Sequence, residues 1–180
     1  GQNFLIDEGI VLDIVQKAEV SKEDLVIEIG PGLGTLTAAL AESAKKVIAV
    51  ELDDNMIPVL NERFALYDNV EIIHNDILKT DINALINGEE HVKIVANLPY
   101  YITTPIVMKL LEEKLNIESI TVMVQKEVGE RFCSTPNGKE YGAIVTWISS
   151  ILHLGNIKIA QNNEAKAAEY LYEGLALVEA

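Results

Sequence analysis

The sequence predicts a doubly wound α/β domain: a mostly parallel sheet with helices on both faces and an antiparallel hairpin at one edge. Three observations carry this. Short β-branched runs alternate with helix-period patterns through residues 25–125. Those runs are apolar at consecutive positions, as strands buried on both faces require. The stretches between them are close to the roughly 10–15 residues that a crossover helix occupies.

The elements follow in order. A helix is expected near Glu8–Ala18, with Asp7 as its cap and Ile10, Ile14 and Val15 turned inward. LVIEIG (25–30) is a compact apolar strand ending in glycine, and TLTAALAES (35–43) sets Leu36, Ala39 and Leu40 on one helical face. KVIAVEL (46–52) is the second strand, followed by Met56, Leu60 and Phe64 at helix spacing. VEIIHND (70–76), KIVANLP (93–99) and SITVMVQ (119–125) supply three more strands, with VMKLLEEKL (107–115) as the helix before the last. Beyond the turn-rich TPNGKEYG (135–142), AIVTWISSIL (143–152) and NIKIA (156–160) are expected to pair as the edge hairpin around Gly155-Asn156. From Asn163 onward, Ala168, Leu171, Tyr172, Leu175 and Val178 share a face at helical spacing. Residues 1–160 therefore read as one domain, and 161–180 as an amphipathic helix packed on it.

The 180 residues suit one domain on a prior of ~150 per domain. At this size roughly 70% of the unfolded surface can be buried. The charge is lopsided: 14 Lys and Arg face 28 Asp and Glu, for a net −14. Residues 1–104 hold 18 acids and 7 bases, and residues 105–180 hold 10 acids and 7 bases. This balance argues against a large non-specific nucleic-acid footprint, which needs clustered Lys and Arg. Cys133 is alone, so no internal disulfide is expected, and a reducing compartment is the natural setting. His74, His91 and His153 lie far apart without ligand spacing, so no metal is expected. No apolar run spans a bilayer and no signal core opens the chain. A cytoplasmic, membrane-free monomer is the expectation. No Met stands at position 1, so the chain reads as processed or as a piece of a longer one.

The first chemical signal is Glu28-Ile-Gly30-Pro-Gly32-Leu-Gly34, between a strand and a helix. Glycines there let a ligand approach the backbone, and the helix start adds positive potential. A dinucleotide site wants G-x-G-x-x-G and a pyrophosphate. This loop is G-x-G-x-G, with an acid two residues before it that would repel a diphosphate. The acid suits a ligand with an amino group and no phosphate, such as S-adenosylmethionine. Glu51 ends the second strand, where a carboxylate can accept from ribose hydroxyls, and Asp76 ends the third, where one can accept from an adenine amine. Either alone also fits a helix cap or a solvated strand end; together they outline one site at the carboxyl ends of neighbouring strands.

The second signal is Asn97-Leu98-Pro99-Tyr100, at the end of the fourth strand. Amines on bases are poor nucleophiles because their lone pair is conjugated. The Asn97 amide oxygen and the Leu98 carbonyl could accept both amine hydrogens and localise that lone pair. Pro99 stiffens the turn, and the Tyr100 ring offers a stacking face for a base turned out of its strand. The reaction would be in-line methyl displacement driven by proximity and orientation.

With these residues in place, the chain resembles the ribosomal RNA adenine dimethyltransferases, the small-subunit dimethyladenosine transferases and their erythromycin-resistance relatives. The matching stretches are GQNFL (1–5), EIGPGLGTLT (28–37), VELD (50–53), ND (75–76), NLPYYITTP (97–105), QKEVGERF (125–132) and KEYGA (139–143). GQNFL, NLPYYI and QKEV point to the small-subunit branch. The resemblance implies a Rossmann-like class I methyltransferase fold using S-adenosylmethionine. It implies that Asn3 and Leu5, with Gln2 nearby, close over the cofactor. Gly30 would contact the methionine end, Glu51 the ribose and Asp76 the adenine amine. Asn97 and the Leu98 carbonyl would hold the target amine, with Tyr100 stacked on the base. The implied product is dimethylated adenine in small-subunit ribosomal RNA. Lys126 and Arg131 would meet phosphates, or are ordinary surface charge.

The chain departs from the family after the YGA-like motif. Residues 144–180 do not follow its pattern, and its helical C-terminal RNA-binding domain is expected to be absent. A non-catalytic S-adenosylmethionine-binding or ribosome-assembly module is therefore the alternative function. A methyltransferase for another planar amine ranks lower, because those sites usually read NPPY. A nucleotide-dependent dehydrogenase ranks lower still.

Overall fold

A computed structural model describes residues 8–113, 115–125, 156–162 and 171–174. The order is α1 (Glu8–Lys17), β1 (Leu25–Ile29), α2 (Thr35–Ser43), β2 (Lys46–Glu51), α3 (Met56–Arg63), β3 (Val70–His74), α4 (Ile82–Ile86), β4 (Val92–Asn97), α5 (Tyr100–Glu112), β5 (Ser119–Gln125), β6 (Asn156–Asn162) and β7 (Leu171–Gly174). The sheet order is β3-β2-β1-β4-β5-β6-β7, with β1 to β5 all parallel. The doubly wound parallel architecture is as expected.

Successive strand residues point to opposite faces, and this sorts the core into two layers. Leu25, Ile27, Ile29, Ile48, Val50, Ile94 and Val122 pack with Ile82 and Ile86 of α4 and Ile106, Val107 and Leu110 of α5. Val26, Val47, Val95 and Met123 pack on the other face with Val11, Ile14 and Val15 of α1 and Leu36 and Leu40 of α2. Ile27, Ile94 and Val95 are fully enclosed, which is why β1 and β4 read as continuous apolar runs. On α1, Val11 is buried and Ile10 only packs against the cluster, a small rotation from the expected inward face.

Several expectations need correcting. The helix expected at 107–115 begins seven residues earlier, at Tyr100, and runs through Pro105. Proline reads as a breaker because it removes an i→i−4 bond. Here it is the sixth residue of α5, past the first turn, so one i→i−4 bond is given up, and the buried face of Ile106, Val107, Leu110 and Leu111 holds the helix in place. α4 was not foreseen, although Asp81 caps it by accepting from Ala84 N at 3.1 Å and Asn87 ends it in a left-handed conformation.

At the sheet edge, β6 runs parallel to β5 and antiparallel to β7. The expected hairpin of 143–152 with 156–160 is not shown, because its first arm lies outside the described residues. The helix expected over 161–180 does not hold at Leu171–Gly174, which is a strand. Its pairing sets Glu173 opposite Lys158 and Tyr172 opposite Ile159. An unpaired strand edge offers a row of backbone donors and acceptors, and pairing it overrides a helical hydrophobic spacing.

Candidate active site

The strand order reverses direction between β1 and β4, since β2 and β3 lie to one side of β1 and β4 and β5 to the other. Open α/β sheets bind ligands at this point, outside the carboxyl ends of the strands. Ile29 is in register with Val50 on β2 and with Ala96 on β4. The residues that follow are Gly30, Glu51 and Asn97, so three strands deliver the two sequence motifs to one edge.

The loop between β1 and α2 turns through three left-handed glycines, Gly30 at φ 69°, Gly32 at 57° and Gly34 at 78°. A side chain in that conformation costs about 1–2 kcal/mol. The first and last glycine differ in why they are there. A Cβ on Gly30 would meet nothing within 4 Å, so the space beside it is open. A Cβ on Gly34 would lie 2.6 Å from Phe64 Cε2 and 3.0 Å from Leu60 Cδ2. Gly34 thus lets α3 press against the loop. Arg63 on the same helix donates to the Leu33 carbonyl at 2.5 Å and pins the loop from outside.

Glu51 is 3% exposed, and backbone amides hold its carboxylate. Gly32 N donates to Oε2 at 3.1 Å, while Leu52 N and Asp53 N each donate to Oε1 at 2.9 Å. One carboxylate therefore ties the glycine loop of β1 to the turn after β2. A carboxylate accepts at about four sites, so acceptor capacity remains on Oε2. Asp76 Oδ1 accepts from Leu78 N at 2.9 Å, and Oδ2 lies 3.6 Å from Lys79 Nζ. His74 bridges the same rim, with Nε2 3.3 Å from the Leu52 carbonyl and 3.1 Å from Asp54 Oδ1.

Glu28 differs from these acids. It alternates with Ile27 and Ile29 and therefore turns into the α1–α2 layer, where it is 1% exposed. Burial pushes its carboxyl up to about 8; the nearby Thr37 hydroxyl pulls it back, and Glu51 pushes it further up. Despite that proximity, neither Glu28 Oε2 nor Thr37 Oγ1 has a hydrogen-bond partner of proper geometry.

Asn97 is half-buried at the end of β4, and its side-chain amide has no partner among the described residues. Leu98 N donates to the Met123 carbonyl at 3.3 Å, which holds the turn against β5. Pro99 caps α5 with extended backbone, and its carbonyl accepts from Thr103 Oγ1 at 3.0 Å. The backbone of Tyr100 opens α5. Gln2, Asn3, Leu5, Lys126 and Arg131, and the side chain of Tyr100, lie outside the described residues.

The structure thus gathers Gly30, Gly32, Glu51, Asp76 and Asn97 at one edge, while Glu28 lies inside the adjoining layer. Thr37, Arg63 and His74 were missed by sequence reasoning. Thr37 stands at an inward helix position beside Leu36 and was legible as such; the contacts of Arg63 and His74 cross between elements and left no local signal. Among the described residues no helix is long and apolar enough to cross a membrane, and no group of three or more His, Cys, Asp or Glu is placed to hold a metal ion.

The family profile described as ribosomal RNA adenine dimethylase matches residues 1–159. The chain belongs to this family. A ribosomal RNA small subunit methyltransferase A of Clostridium acetobutylicum is 56% identical over 144 residues, covering 80% of this chain and 52% of the relative. A dimethyladenosine transferase from Plasmodium falciparum superposes with a TM-score of 0.70 at 31% identity, covering 79% of this chain and 50% of that one. The 23S rRNA methyltransferase ErmE gives 0.65 at 32% identity, over 72% of this chain and 50% of that one. This member of the dimethylase family spans about half the length of the curated relatives it matches.

Proposed function

We propose that this protein transfers methyl groups from S-adenosylmethionine to the exocyclic amine of adenine in small-subunit ribosomal RNA, giving dimethyladenine in two steps. The observation that carries the reading is the placement of Asn97-Leu98-Pro99-Tyr100 directly across the strand-order reversal from the glycine loop. That edge supports a cofactor site and a substrate amine side by side.

The residues fit the cofactor. The space beside Gly30 is open, and the buried Glu28 carboxyl lacks a partner on one oxygen. Glu51 and Asp76 stand at the next two strand ends, and no described cation neutralises Glu51. Such a rim suits a cationic, hydroxyl-rich ligand and opposes a diphosphate. Gly30 and Gly32 would line the methionine end, Glu51 would accept from the ribose and Asp76 from the adenine amine. Gln2, Asn3 and Leu5 would close over it. When bound, the cofactor supplies a sulfonium methyl group open to in-line displacement. Asn97 and the Leu98 carbonyl would accept the hydrogens of the target amine and aim its lone pair, and Tyr100 would stack on the base. Their contribution is orientation. Lys126 and Arg131 would meet phosphates of the RNA strand.

The relatives carry the substrate class: they are named as small-subunit ribosomal RNA methyltransferases. A cytoplasmic monomer acting on small subunits follows from the same reading. With a net charge of −14 and Lys126 and Arg131 as the cations assigned to phosphates, this chain would hold RNA weakly. The test is transfer of labelled methyl groups to undermethylated small subunits and to naked RNA. Asn97→Ala should bind S-adenosylmethionine and lose transfer; full transfer by that variant removes the role given to Asn97.

A further inference from the structure

Among the described residues, the buried side-chain oxygens without a partner are Glu28 Oε2, Thr37 Oγ1 and, two strands away on β5, Thr121 Oγ1, and the first two flank the glycine loop. Glu28 stands two residues before Gly30, and Thr37 three after Gly34, so the glycine loop leaves and re-enters the core at this pair. Glu28 Oε2 and Thr37 Oγ1 are both enclosed, and neither has a hydrogen-bond partner among the described residues. An enclosed polar atom without a partner costs about 1–3 kcal/mol, so a purely structural position would favour an apolar residue.

The surroundings are one-sided. From β2, Glu51 is the acid that acts on Glu28, and its own carboxylate accepts from three backbone amides. From α2 comes only the uncharged Thr37. α1 contributes Val11, Ile14 and Val15 to this layer, and β4 contributes Val95. Of two neighbouring carboxyls, the one with fewer donors keeps its proton. A cation at the loop would oppose both the burial penalty and the repulsion from Glu51.

We propose that Glu28 makes cofactor binding proton-linked: it is a neutral acid in the free protein and releases its proton when the cationic end of the cofactor binds at the glycine loop. The O–H bond of the carboxyl breaks, the proton passes to the buffer, and the carboxylate left behind balances the ligand's charge. No other bond changes and nothing is oxidised or reduced. Glu28 is thus a positioning residue that sets the pH dependence of affinity. The inference rests on the S-adenosylmethionine reading above.

Titration calorimetry of S-adenosylmethionine into this chain, at pH 6.5 in phosphate and in imidazole, counts the protons released. The expected count is close to one per ligand for the wild type and near zero for Glu28→Gln. Affinity should rise close to tenfold per pH unit between pH 6 and 7 in the wild type and stay flat in the variant. Carboxyl ¹³C NMR of the wild type needs no variant: the Glu28 signal should be protonated in the free protein and ionised at saturation. Saturable binding with no proton release, or a Glu28 signal already ionised in the free protein, overturns this inference and leaves the cofactor reading standing. Absence of any binding overturns both.

Discussion

The two ends of the sheet treat their charges in opposite ways. At the amino ends of the strands, Lys93 Nζ lies 2.9 Å from Asp24 Oδ2, 2.6 Å from the Glu19 carbonyl and 3.8 Å from Glu118 Oε2. Ser21 N adds a further bond to Asp24 at 2.6 Å, and His91 meets Glu118 at 2.5 Å. Burial pushes the Asp24 carboxyl up, but the bonds from Lys93 and Ser21 outweigh it and leave the group below its ordinary range. The Glu118 hydrogen bond and charge hold His91 above its usual value. At the carboxyl ends, Glu51 and Asp76 stand at the rim with Glu28 buried in the layer behind, and neither Glu28 nor Glu51 pairs with a described cation. The closed end secures β1, β4 and β5 to one another; the open end keeps unspent charge for a ligand.

The largest effect should come from breaking the closed end. Lys93→Met leaves Asp24, 2% exposed, without its cation, and should cost about 3–5 kcal/mol in urea unfolding. Cofactor affinity of the folded variant should be unchanged; a parallel loss would mean that the two ends are coupled.

The open end should show the reverse sign. With its carboxyl raised from 4.5 to about 8, Glu28 favours the folded state fully below pH 4.5, and that contribution is lost as pH rises through 8. Glu28→Gln should therefore gain stability relative to the wild type between pH 5 and 8, by an amount on the order of a few kcal/mol. A gap that stays constant with pH would show that Glu28 is ionised in the fold.

Asn97→Ala should lower methyl transfer about 100-fold, as loss of orientation does, while leaving the unfolding midpoint nearly unchanged. The two loop glycines sharpen the picture further. Gly34→Ala drives a methyl into Phe64 and should cost about 2 kcal/mol more in unfolding than Gly30→Ala, although both share the left-handed penalty. Gly30→Ala should instead weaken binding of the cofactor. Equal stability losses, with cofactor affinity intact in both, would place the ligand elsewhere.

Much of this was legible in the chain because it depends on near neighbours. The β-branched runs at 25–30, 46–52 and 93–99 are continuous because the sheet is covered on both faces. The strand ends are read from where those runs stop, and so the sequence alone sets Gly30, Glu51, Asp76 and Asn97 at the carboxyl ends of neighbouring strands. The signals for α4, Asp81 at its start and Asn87 at its end, enclose only five residues, too few for a helical period to show.

Strand and helix periodicities act over a few residues, so the order of elements and the groups brought to the open edge are written in the chain. What each acid is depends on the contacts made when distant segments pack together. Glu28, Glu51 and Asp76 look alike as strand-end carboxylates. One is sealed without a partner on its second oxygen, one is held by three amides, and one caps a turn. The tertiary structure also decides that Gly34 serves packing and that 171–174 is a strand. The charge state of a group depends on its burial and on donors from other elements, and those are set when distant segments meet.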